Sequence, residues 1–241
     1  NFLVSVAKNE DQLRKSVAAT AIIGCILSLF VIFIGAVGLY PLLQFLGTPS
    51  AIVSQSYLYI ATIVNGVAVT FAYNLCAGLL RAVGDSLAAL YFLIIAAILN
   101  ILLDLYFITQ LHLGVQSAGI ATIIAQGISA LLCLLYIRKK VPFLLPHRKD
   151  FVWDKELYQD LLSQGLAMGL MTSIVSIGTV ILQSAVNQLG TTIISAQVAA
   201  RRIMSFAVLP ITAIASSITT FISQNFGAEQ FQRIKKGVPL P

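Results

Sequence analysis

From Ser16 to Leu80 the chain reads SVAATAIIGCILSLFVIFIGAVGLYPLLQFLGTPSAIVSQSYLYIATIVNGVAVTFAYNLCAGLL, 65 residues without one Asp, Glu, Lys or Arg. A water-facing surface needs charged groups, and no soluble domain can be wrapped in such a stretch. The rest of the 241 residues follows suit: 58% are hydrophobic, 10% are charged and the mean hydropathy is +0.92. Soluble domains carry about 25% charged residues. These proportions exclude disordered, collagen-like and disulfide-rich classes. They point to an all-α polytopic membrane bundle.

A membrane-crossing helix needs about 20 apolar residues. Six stretches qualify: 17–45, 52–80, 86–108, 115–137, 163–189 and 192–222. Their connections alternate in charge. Gly47-Thr48-Pro49-Ser50, Gln110 to Ser117 and Leu189-Gly190-Thr191 hold no Lys or Arg, whereas the other connections hold thirteen of the 15 basic residues. Basic loops stay on the cytoplasmic side, so both ends of the chain are expected there, with the spans in the cell (inner) membrane. The same scatter argues against nucleic acid as a partner. The net charge of +6 is divided among short loops and not gathered on one polar face.

Arg201 and Arg202 break the alternation, about ten residues into the sixth span, where they snorkel or line a polar cavity. Cys25, Cys76 and Cys133 lie in apolar stretches without metal-type spacing and read as small buried hydrophobes. Val141 to Leu161 is the longest polar connection. Asp150 or Asp154 is expected to cap a short amphipathic helix lying along the membrane face there, with Trp153 as an interfacial anchor. This divides the chain into a four-span unit (1–140), a cytoplasmic linker (141–161) and a two-span unit with the start of a further helix (162–241).

The polar stretch Ala7 to Val17 resembles Ala228 to Val238 at a constant offset of 221 residues. Six spans in one period would give two repeats the same orientation, an arrangement found in one class of secondary transporters. The chain opens with Asn1, without Met, and on this reading is an internal piece of a longer, two-repeat protein.

Only one acidic residue lies within a span: Asp104. An intramembrane carboxylate costs about 2.5–3.5 kcal/mol on insertion scales, so its presence calls for a functional or a packing reason. Asn100, four residues earlier, shares its helix face. Thr122 and Tyr59 reach a similar depth when rise per residue is counted from the outer ends of their spans. Oxygen ligands of this kind suit a proton or a hard cation such as Na+, not a transition metal, and no cofactor is implied. Gln183, Asn187 and Gln197 are candidates for a substrate cavity, with helix packing an equal alternative for each. Intramembrane catalysis needs a nucleophile–base pair or metal ligands. His112 and His147 both fall in loops, so the chain is not expected to be an enzyme.

Several segments resemble one family. Leu79-Leu80-Arg81-Ala82-Val83-Gly84-Asp85-Ser86, then Asn100-Ile101-Leu102-Leu103-Asp104, Leu113-Gly114-Val115, Ala118-Gly119-Ile120-Ala121-Thr122 and Ser223-Gln224-Asn225-Phe226-Gly227-Ala228 occur in the order and spacing of the MATE multidrug exporters. The resemblance runs from the close of that family's second span to the opening of its ninth. It implies a twelve-span, two-lobe antiporter that exports organic, often cationic, compounds in exchange for H+ or Na+. This chain would supply six of those spans, and the remaining parts of the transporter would be its partners along with the lipid bilayer and the small organic substrates. The alternative within the wider superfamily is a lipid-linked precursor flippase, for which two span-embedded arginines are few. The resemblance further implies that Asn100, Asp104, Thr122, Tyr59 and Asn74 belong to a first-lobe ion-coupling network. By depth Asn74 lies inward of the others and needs a bent helix to join them. Some relatives carry an acid in the seventh span. Here Leu170 to Ser184 offers Thr172, Ser173, Ser176, Thr179 and Gln183 but no carboxylate.

Overall fold

The computed structural model describes residues 10–45, 50–187 and 191–237. Its elements are α1 (Glu10–Phe45), α2 (Ser50–Asn65), α3 (Val67–Ala82), α4 (Ser86–Thr109) and α5 (Gln116–Lys140). Two 3-10 turns follow (Pro142–Leu144 and Arg148–Asp150), then α6 (Lys155–Asn187), α7 (Thr191–Gly227) and α8 (Phe231–Gly237). No strand occurs among the described residues. Five helices are long and apolar enough to cross a membrane, and α2 with α3, bent by 45° at their junction, meets the same test as a pair, which makes six if the pair is one span. Counted so, the six spans expected from the sequence are present, and the bend in the second is new. The chain divides into two compact units, one ending at Val152 and one beginning at Trp153.

In the first unit α5 is the central helix, packed against α2, α3 and α4. Ser117, Ala121, Ala125, Ser129, Cys133 and Ile137 follow one another at every fourth position, and none is more than 1% exposed. Such an i±4 row is the ridge by which one helix seats in another's groove. Small side chains on that ridge let the backbones approach closely, which is how membrane helices gain packing contacts when lipid tails are as apolar as leucine. Leu80 and Ala77 of α3 and Ala88, Ala89 and Ala96 of α4, on helices packed against α5, are likewise buried. Faces that point away from the bundle carry the large apolar residues, among them Leu87, Leu93, Ile101 and Leu131, each more than half exposed. In a membrane these meet acyl chains.

The turn from α3 to α4 explains one of the recurring segments. Asp85 N donates to Leu80 O at 2.9 Å and Gly84 N to Arg81 O at 3.1 Å, closing α3 with the paired bonds of a Schellman motif. Gly84 takes φ +90, a conformation that strains any residue with a Cβ. Asp85 then caps α4, its Oδ1 accepting from Ala88 N at 3.1 Å, while Oδ2 accepts from the Tyr136 hydroxyl of α5 at 2.8 Å. Arg-Ala-Val-Gly-Asp is therefore a stop, a reversal, a cap and an anchor in five residues.

The start of α1 is tied to the chain after α5. Arg14 Nε donates to Phe143 O at 3.1 Å, and Leu13, Ser16, Val17 and Leu144 are buried around it. Asp150, 3% exposed, closes the second 3-10 turn by accepting from His147 N at 2.7 Å.

The second unit corrects one expectation. No separate short amphipathic helix lies beyond Asp154. Asp154 Oδ1 accepts from Glu156 N and Leu157 N at 3.1 and 3.3 Å, and the helix it caps runs unbroken from Lys155 to Asn187. The reason is local: between Lys155 and Ser184 no proline interrupts, so a helix once nucleated continues from the polar turns into the apolar ones. At 1.5 Å per residue its 33 residues span about 50 Å, beyond the roughly 30 Å hydrocarbon layer. Trp153, 74% exposed, stacks on Tyr158 with ring centroids 4.5 Å apart.

Candidate functional site

The site in the first unit grows from one face of α5, where Gln116, Gly119, Thr122 and Gln126 recur at steps of three or four. Gln116 Nε2 donates to Thr62 Oγ1 of α2 at 3.2 Å. At Gly119 the two helices come close enough that a Cβ would lie 3.1 Å from Thr62 Cγ2 and 3.6 Å from Tyr59 O. One turn on, Thr122 Oγ1 donates to Ala118 O at 2.7 Å and accepts from Asn100 Nδ2 of α4 at 3.1 Å. Further along, Thr70 Oγ1 of α3 donates to Gln126 Oε1 at 2.6 Å. A single polar stripe on α5 thus bonds in turn to α2, α4 and α3.

The bend between α2 and α3 lies between Thr62 and Thr70. Gly66 N is shared between Thr62 O at 3.0 Å and Ile63 O at 3.1 Å, a local tightening of the helix, and a Cβ on Gly66 would fall 2.3 Å from the Ile123 side chain of α5. Close passage of α5 and the redirected hydrogen bonds together produce the change of direction.

Asp104 stands one turn beyond Asn100 on α4. Its Oδ1 is buried and accepts no hydrogen bond among the described residues. A buried polar atom is normally bonded, and an unsatisfied one costs about 1–3 kcal/mol, more if charged. A carboxylate left in this state beside a threonine–asparagine pair has the chemistry to take up a proton or a small hard cation. Protonation turns the acid into a donor, and a cation supplies the missing positive charge. Among the described residues no three His, Cys, Asp or Glu side chains are grouped to hold a metal ion.

Of the five residues assigned to the coupling network, Asn100 and Thr122 are hydrogen-bonded to each other, and Asp104 lies one turn from Asn100 on α4. Tyr59 approaches α5 through its backbone oxygen, and no described hydrogen bond links its hydroxyl to the other three. Asn74 is exposed, and its amide donates to Thr70 O of its own helix at 2.8 Å, so the bend at Gly66 does not bring it to Asp104 by any described bond. Thr62, Thr70, Gln116 and Gln126 were not singled out from the sequence. For Gln116 and Gln126 the signal was the three-or-four spacing along α5, whereas Thr62 of α2 and Thr70 of α3 carried none of their own.

In the second unit Gln183 of α6 and Arg201, Arg202 and Ser205 of α7 line a cleft of about 460 Å³, with Val198, Phe206 and Leu209 on its apolar side. Gln197 Oε1 is buried without a described partner. Asn187 is the last residue of α6, and its side chain lies outside the described residues. Thr172, Ser176 and Thr179 each donate to the carbonyl four residues back in α6, at 2.9, 2.9 and 3.0 Å. These hydroxyls satisfy themselves within the helix and need no partner.

Five long apolar helices and a bent sixth pair define an integral membrane protein of the polytopic helical class. The chain belongs to the MatE family, whose model matches residues 6–106 and 167–238. It is 29% identical over 237 residues to the probable multidrug resistance protein YpnP of Bacillus subtilis (strain 168), covering 96% of this chain and 52% of that protein. To the probable multidrug resistance protein YoeA of the same strain it is 27% identical over 237 residues, covering 95% and 51%. Its fold superposes on a crystal structure of MATE in complex with MaL6 with a TM-score of 0.86 at 22% identity, covering 97% of this chain and 54% of that one. The chain spans about half the length of these relatives.

Proposed function

We propose that this chain works as part of a secondary active antiporter that exports organic, often cationic, compounds in exchange for H+ or Na+. The observation that carries this reading is the buried, unpartnered Asp104 Oδ1 one turn from the Asn100–Thr122 pair. It is supported by the names of the relatives, which are probable multidrug resistance proteins. In this reading Asp104 binds the coupling ion, Asn100, Thr122 and Tyr59 support it, and Asn74 lies inward of them. Gln183, Asn187 and Gln197 contribute to the substrate path in the second unit. Ion occupancy at Asp104 biases the protein between conformations that differ in substrate affinity, which is all that coupling requires thermodynamically. No catalytic step is assigned to any residue.

The test is transport by the intact protein in everted membrane vesicles. A fluorescent organic cation is expected to accumulate when an inward-directed substrate gradient is absent but an H+ or Na+ gradient is imposed, and accumulation is expected to stop when an ionophore collapses that gradient. Uptake that persists unchanged after collapse, or that requires ATP, rules the antiporter out.

We further place the basic connections, and with them both ends of the chain, in the cytoplasm, since thirteen of 15 basic residues fall on alternate turns. In a variant freed of Cys25, Cys76 and Cys133, Leu113→Cys should react with a membrane-impermeant maleimide added to intact cells. Lys149→Cys should react only after the cells are opened. Labelling of position 149 from outside reverses the orientation.

A further inference from the structure

The bend between α2 and α3 is filled by a side chain of α5. Gly66 stands at the junction with φ −83, a value any residue adopts, so the glycine is needed there for room and not for its backbone. Ile123 takes that room: a Cβ on Gly66 would collide with its Cδ1 and Cγ1. α5 is cut away on either side of the isoleucine. A Cβ on Gly119 would lie 3.1 Å from Thr62 Cγ2, and one on Gly127 would lie 3.4 Å from Val69 Cγ1. Gly119, Ile123 and Gly127 recur at every fourth position, so one large side chain stands between two glycines on the face that meets the bend.

Two hydrogen bonds clasp the bend from the same helix. Gln116 Nε2 donates to Thr62 Oγ1 at 3.2 Å, one turn before Gly66, and Thr70 Oγ1 donates to Gln126 Oε1 at 2.6 Å, one turn after it. Both arms of the bend are thus bonded to a single unbroken helix. A change in the bend angle moves Thr62 relative to Thr70, and α5 must turn or slide to keep both bonds. Ile123 gives little by itself, because a β-branched side chain in a helix is held close to one χ1 rotamer. Pressure on it passes to the α5 backbone. The residue before it is Thr122, which accepts from Asn100 Nδ2 at 3.1 Å, and Asn100 is one turn from Asp104 on α4. The bend and the polar pair therefore meet α5 at two consecutive residues.

We propose that Gly66 and Ile123 are positioning residues for the Asp104 site: the isoleucine seated at the bend sets the rotation of α5, and with it the placement of Thr122 against Asn100. This rests on the ion-coupling reading of Asp104 and adds to it the contact, outside the site, that holds the site in register. The readout is the ion concentration that gives half-maximal efflux by the intact protein in vesicles. Gly66→Ala sets a methyl group against Ile123 and should raise that concentration about threefold, the size expected for one hydrogen bond between membrane helices. Adding Ile123→Ala relieves the collision and should return the value toward the wild type. In a Thr122→Val background Gly66→Ala should add nothing, since two changes that break one contact are not additive. Should Gly66→Ala fail to fold, Thr70→Val opens the clasp without adding bulk and should raise the same concentration, while Thr70→Ser keeps the donor and should leave it unchanged. A contact that only stabilised the bundle would lower the amount of protein and the maximal rate, with the half-maximal concentration unmoved. The positioning role alone is overturned if Asp104→Asn is inactive but the half-maximal concentration is unmoved in folded Gly66→Ala and Thr70→Val, if Ile123→Ala gives no return, or if the effects of Gly66→Ala and Thr122→Val multiply. Wild-type efflux by Asp104→Asn, with its usual dependence on the gradient, overturns the ion-coupling reading and this proposal together.

Discussion

Asp104→Asn should lower ion-driven efflux by roughly a hundredfold while leaving the amount of protein in the membrane almost unchanged. The substitution preserves shape and the capacity to hydrogen-bond but removes the charge that a proton or sodium ion would neutralise. Coupling between two bound ligands is typically worth about 1–3 kcal/mol, roughly 5- to 150-fold, and losing the titratable group removes all of it, which places the loss near the upper end. Folding should be spared because Asp104 Oδ1 makes no described hydrogen bond that the amide would break. The neighbouring bond behaves differently. Thr122→Val removes the acceptor of the 3.1 Å bond from Asn100, and hydrogen bonds between membrane helices average only about 0.6 kcal/mol, so efflux should fall about threefold. Vesicle transport with both ion gradients measures the two variants side by side. Wild-type efflux by Asp104→Asn, with its usual dependence on the gradient, would reduce Asp104 to a packing residue.

The largest effect on stability is expected at the ridge of α5. Ala125 is 1% exposed, and Ala125→Leu would force three extra carbons between closely packed backbones. Overpacking of this kind costs about 1–3 kcal/mol and at times more, through off-rotamer side chains and displaced helices. The midpoint of thermal unfolding in detergent should drop, and the yield of monodisperse protein with it. Ile128, three residues along and 40% exposed, supplies the control: Ile128→Leu changes a face that meets lipid and should leave the midpoint where it was. Equal midpoints for both variants would mean that the Ser117–Ile137 row is not the seam of the bundle.

Which parts of this architecture are legible in the one-dimensional chain follows from what each part depends on. The spans are legible because transfer into hydrocarbon is close to additive along a segment, so the charge-free run from Ser16 to Leu80 needs no knowledge of its neighbours. Asp104 stands out for the same reason: a lone carboxylate in an apolar helix is costly whatever surrounds it. The pairing of Asn100 with Thr122 was within reach of depth counting, since both positions are measured from span ends.

The sequence by itself therefore determined the membrane class, the number of crossings, the family and the acid around which a site can form. Only the tertiary structure decided that the second span bends at Gly66, because that depends on α5 passing where a Cβ would strike Ile123. It likewise decided that Asn74 bonds back to Thr70 and not to the Asp104 region, and that Gln116 and Gln126 find Thr62 and Thr70. A polar side chain in a span must find some partner, yet its residue type does not say which. The partner is chosen by which helix face arrives opposite it, and that is settled by the small-residue ridge of α5 packing against three helices at once.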